Sequence, residues 1–183
     1  MAVRIKSHWH KEEKHRSTDE TAGALAFNSW RIAMNKAMTL YSERFEYKTD
    51  EQRLNVIAEY LIFQIQIIDR LVHDKFDQQQ RAELITAMVK RLAEHMQENG
   101  LEIIGAGDYR TPFIERFNQR SQEYSELGFT DEGPSFPFMR HLGYEIQQIM
   151  GSEDENRWVI DQVMDKDGIE VYTQLKRVVK DLT

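Results

Sequence analysis

The chain contains no cysteine. That excludes disulfides, thiolate zinc sites and cysteine-ligated iron–sulfur clusters, and it fits a cytoplasmic location. Long apolar runs are missing too. Unbroken ones such as residues 60–63 are four residues long, against the ~20 that a membrane span needs. The first sixteen residues, MAVRIKSHWHKEEKHR, have no apolar core and carry Glu12 and Glu13, so neither a secretory signal nor a transit peptide is expected. There is no G-x-S-x-G, no P-loop and no dinucleotide fingerprint. Residues 105–108, GAGD, lack the third glycine and the strand–turn–helix setting.

What is present is charge and helical periodicity. The net charge of −7 is unevenly placed: residues 1–16 hold five Lys/Arg against two Glu, and the other 167 residues hold 19 basic against 29 acidic side chains. An acidic body repels nucleic acid and anionic lipid, so only the short basic arm would attract either, and a nucleic-acid partner is not expected. Residues 1–16 are read as an N-terminal arm and 17–183 as one all-helical domain, a length that suits a single core. Val3, Ile5 and Trp9 alternate with polar residues, which allows a short β piece in the arm.

The expected fold is all-α, a bundle of about six helices. Ser17 and Glu20 have capping-box spacing for the first helix. An apolar stripe of Ala26, Phe27, Trp30, Ala33, Met34, Ala37, Met38, Tyr41 and Phe45 follows, which predicts a core-facing amphipathic helix. A second helix is expected over 50–76. Its apolar arc is wider than that of the first helix, which predicts a central, mostly buried element, with Asn55, Glu59, Gln66, Arg70 and His73 as its polar strip. A third helix is expected over 78–98, stopped by Asn99-Gly100, with a short extended piece considered at 101–104. A fourth opens at Thr111-Pro112, a fifth runs over 138–150, and a capping box at Ser152–Glu155 opens the sixth. Asp165-Lys166-Asp167-Gly168 is expected to bend or interrupt that last helix.

Gln64 poses the sharpest question. In YLIFQIQIIDRLVH, residues 60–73, it lies near the middle of the apolar face. A buried amide without a partner costs about 1–3 kcal/mol, so Gln64 requires a backbone carbonyl, a tyrosine such as Tyr41, Tyr60 or Tyr144, or a bound ligand.

The leading expectation is a non-catalytic binding or protein-interaction module that self-associates as a homodimer or docks a protein partner. Broad apolar faces and eight methionines suit adaptable apolar contact. The loop carrying Phe129, Phe136 and Phe138 is its candidate interaction patch. The alternative is a helical-bundle enzyme, or a small apolar-ligand or metal binder, with a pocket beside helix 50–76 lined by Gln64, Asp69, His73, His95 and His141. His8, His10 and His15 form a candidate metal set on the arm. Two Glu-x-x-His pairs on facing helices would indicate a di-iron bundle, and only Glu12–His15 has that spacing. Residues 163–174 miss the end carboxylates of a calcium loop. No cofactor is implied.

Overall fold

The computed structural model describes residues 17–183. Those residues form an all-α bundle in the order α1 (Thr18–Ser42), α2 (Asp50–Leu71), α3 (Gln78–Ile103), α4 (Arg110–Ser125), β1 (Phe129–Thr130), β2 (Gly133–Pro134), α5 (Phe136–Met150), a 3-10 turn (Asp154–Trp158), a short α6 (Val159–Gln162), a π turn (Val163–Asp167) and α7 (Gly168–Leu182). With α6, the π turn and α7 counted as one irregular helix, the bundle has the six helices expected. None of its helices is long and apolar enough to cross a membrane. The β piece considered in the arm and His8, His10 and His15 lie outside the described residues.

α2 is the axis of the bundle and packs against α1, α3, α4, α5 and α7. Every residue from 56 to 68 is buried. That burial includes Glu59 and Gln66, because α4 covers this part of the polar strip of α2, and Gln64, whose amide meets α1. Arg116 Nη2 donates to Asn55 Oδ1 at 3.0 Å, and Arg120 donates to both Glu59 oxygens at 3.2 Å. Gln66 donates to Ser121 at 2.8 Å, and Arg70 to the Tyr124 carbonyl at 3.1 Å. Only Phe113 and Tyr124 of α4 are buried, so this helix is held by a polar ladder more than by an apolar stripe.

Caps explain several element boundaries. Ser17 and Glu20 form the expected capping box, and Asp77 and Gln80 form another at α3. Ser135 caps α5 by accepting from the Phe138 amide, which starts that helix two residues earlier than expected. α2 ends at Leu71, short of 76, where its periodicity gives way to charged residues.

Two expectations are corrected. Residues 101–103 are helical and not extended, because α3 runs through Asn99-Gly100 to Ile103. Gly100 serves there as a contact surface: a Cβ on it would lie 2.2 Å from the Tyr109 ring. The capping box at Ser152–Glu155 does not form. Glu153 makes no side-chain cap and instead pairs with Lys48 at 2.8 Å, while a 3-10 turn follows. Asn156 organises this corner: its amide donates to the Glu46 and Met150 carbonyls and its oxygen accepts the Glu46 amide.

The irregularity expected at 165–168 is the π turn, and it swings the Asp167 side chain into the core. Gly168 lets the turn press on α5, since a Cβ there would meet Met139 Sδ at 2.6 Å.

Candidate functional site

Two places in the described residues stand apart from ordinary core and ordinary surface. The first is the outer face of α1. At 100° per residue the helix carries two apolar stripes. One, Ala22, Leu25, Ala26, Ile32, Ala33, Ala37 and Leu40, is buried. The other holds Phe27, Met38 and Tyr41, which are 63%, 65% and 68% exposed, with Met34 and Trp30 half-buried beside them. The stripe expected to face the core is therefore split: Ala26, Ala33, Ala37 and Phe45 turn in, and the three largest exposed side chains turn out. The small residues win the inside because alanines let α1 approach α2 and α3 closely.

Buried polar groups on the inner stripe reinforce that choice. Lys36 reaches Asp167 at 3.4 Å and also pairs with Glu170 of α7. The Ser29 carbonyl accepts from Gln64 Nε2 at 3.1 Å. Turning α1 to bury Phe27 would carry Lys36 away from its carboxylates and break both links.

The second place is an ion cluster where α2, α4 and α5 meet. Glu59 is buried, and Arg120 lies between Glu59, Glu123 and Glu145, bonded to all three. Arg116 approaches Glu59 at 3.6 Å. Three carboxylates thus face two guanidiniums. Burial works to lower the Arg120 pKa, but the Glu59 carboxylate overrides it and holds the guanidinium above its ordinary range. The two glutamates at the edge diverge. Burial pushes Glu145 up, only partly opposed by Arg120. For Glu123, burial is outweighed by the hydrogen bonds from Gln119 and Arg120, and the carboxyl lies below its ordinary value.

His141 completes the cluster. It stands one helical turn before Glu145 on α5, and its ring meets the Tyr124 ring edge-on at 4.7 Å. Nε2 lies 3.0 Å from Glu123 Oε2. The buried Nε2 forms no hydrogen bond with it or with any other described residue. Ligand atoms of Glu123, His141 and Glu145 all lie within 4.8 Å of one another. A cleft of about 520 Å³ opens beside them, lined by Glu123, His141, Arg140, Tyr144 and Phe136.

The other residues singled out from sequence disperse. Gln64 lies in the core with the Ser29 carbonyl as its partner. Asp69 pairs with Arg81 at 2.9 Å. His73 is exposed beside Asp74. His95 leans on Trp30 with ring centroids 5.5 Å apart. Of these candidates only His141 joins the ion cluster. In the aromatic loop, Phe138 is buried and Phe129 packs edge-on to it at 5.8 Å, while Phe136 remains 69% exposed at the cleft mouth.

Comparison with protein-family models, curated proteins and solved structures finds no match for this chain.

Sequence reasoning missed Lys36, Glu59, Arg120, Glu123, Glu145 and Asp167. One signal existed: His141 and Glu145 are four apart, and Arg120 and Glu123 three apart, the spacings of helix neighbours. Nothing in the sequence indicated that α4 and α5 would bring the two pairs together.

Proposed function

We propose that this protein is a non-catalytic interaction module that pairs with a second copy of itself through the outer face of α1. The observation carrying this reading is the outward stripe of Phe27, Met38 and Tyr41. Leaving a large apolar side chain in water forgoes roughly 1.5–3 kcal/mol, and several aligned on one helix mark a contact surface.

A second copy fits this face because the stripe is symmetric about Met34. Two α1 helices laid antiparallel bring Phe27 of one copy to Tyr41 of the other and Met34 to Met34, an isologous two-fold contact.

The expected strength follows from area. Six large side chains, three per copy, bury on the order of 600–800 Å². A stable interface takes ~1,200–2,000 Å², so the dimer is reversible. Sedimentation equilibrium tests the reading: the full-length protein should move from monomer to dimer as concentration rises to about 100 μM, a range typical of small interfaces. Phe27→Glu with Met38→Glu should abolish the dimer while leaving helicity intact. A strict monomer throughout, or a dimer that survives both substitutions, refutes it.

A further inference from the structure

The geometry points to a divalent transition-metal site formed by Glu123, His141 and Glu145, independent of the α1 face. His141 and Glu145 are separated by one turn of α5, and Glu123 approaches from α4. Their ligand atoms lie within 4.8 Å of one another, so modest rotamer adjustment closes them around an ion at metal–ligand distances of ~2.0–2.2 Å.

Three observations beyond proximity support a cation here. The His141 Nε2 is buried and forms no hydrogen bond; it lies 3.0 Å from Glu123 Oε2, so the nitrogen a metal would take already sits among the other ligand atoms. The cluster has three carboxylates for two guanidiniums, so it carries an excess negative charge. Outer partners that orient the ligands are also in place. Gln119 Nε2 donates to Glu123 Oε1 at 2.9 Å, Arg120 holds one oxygen of each glutamate, and the Tyr124 ring edge fixes the imidazole plane. Arg120 is itself anchored by both oxygens of Glu59, so it acts as a positioning residue behind the ligands.

The donor set selects the ion. One imidazole with two carboxylates suits Zn²⁺, Mn²⁺, Fe²⁺ or Co²⁺ and disfavours Mg²⁺ and Ca²⁺, which prefer all-oxygen shells. Three protein ligands leave at least one position, and the adjoining cleft gives it access to solvent or to a small anionic ligand near Arg140. Zn²⁺ should bind most tightly of those four ions by the general order of affinities.

The arm histidines are a competing sink for metal, so the test removes them. In full-length protein carrying His8→Ala, His10→Ala and His15→Ala, titration calorimetry with zinc chloride should give one ion per chain. His141→Ala, Glu123→Gln and Glu145→Gln added singly to that background should each weaken binding about tenfold or more, with the helical circular dichroism retained. Co²⁺ in the same background should show a ligand-field absorption band that His141→Ala shifts or removes. Absence of zinc uptake by the background protein, or uptake that neither His141→Ala nor Glu145→Gln weakens, overturns the site. His141→Gln is the fallback if alanine unfolds the helix, and it too must lower the affinity.

Discussion

The Tyr60 hydroxyl donates to the Asp167 carboxylate at 2.8 Å inside the core, tying the central helix to the π turn. Lys36 of α1 reaches the other carboxylate oxygen. Three elements thus converge on one buried acid, and their mutual orientation depends on it. Removing one partner of such a group leaves an uncompensated buried charge. Lys36→Met should therefore cost about 3 kcal/mol in urea unfolding. Lys36→Met with Asp167→Asn should cost clearly less than the sum of the two single changes. Strict additivity would show that the pair is energetically uncoupled.

Asp167 also sets a pH dependence. Burial pushes its carboxyl above the ordinary value of 3.8, and the hydrogen bond from Tyr60 and the Lys36 charge only partly offset this. The folded state therefore holds that proton more tightly than the unfolded chain. The stabilisation from protonation is complete below 3.8 and is lost as pH rises through the folded value. Wild-type stability measured relative to Asp167→Asn should accordingly increase as pH falls through that window. A difference that is constant with pH, or of opposite slope, contradicts the assignment.

Gly100→Ala should destabilise the junction of α3 and α4. Alanine favours a helix by about 1 kcal/mol, but its methyl would collide with the Tyr109 ring. That ring cannot easily retreat, because its hydroxyl donates to the Gly105 carbonyl at 3.0 Å. Overpacking of this kind costs about 1–3 kcal/mol and should prevail, lowering the thermal midpoint. Tyr109→Ala in the same chain should recover part of the loss.

Gln64→Leu tests whether the core amide is structural. Its nitrogen has the Ser29 carbonyl, but its Oε1 has no hydrogen-bond partner. The lost bond is worth about 1 kcal/mol and the unpaired oxygen costs a similar amount or more. The substitution should therefore change stability by less than about 1 kcal/mol, measured by chemical denaturation. A loss several times larger would show that the amide oxygen has a partner of real strength.

Much of the fold was written locally. The capping box at Ser17, the wide arc of α2, the irregularity before Gly168 and the all-α class follow from spacings of 3.6 residues and from side chains that bond to nearby amides, which are short-range effects. The end of α3 departs from its local signal for a related reason. Asn99-Gly100 signals a stop when considered alone, whereas the packing of Tyr109 makes a glycine useful inside the helix.

What tertiary structure decided is which of two apolar stripes of α1 turns inward, and which charges meet. Periodicity merged the two into one broad stripe. The bundle selected the one whose alanines permit close approach and whose Lys36 finds Asp167, 131 residues further along the chain. Similarly, Glu59 reads as part of a polar strip until α4 lays Arg120 over it, and Glu123, His141 and Glu145 are unremarkable until two helices bring them together. Burial and ion pairing depend on distances between remote segments, and no local pattern encodes those distances.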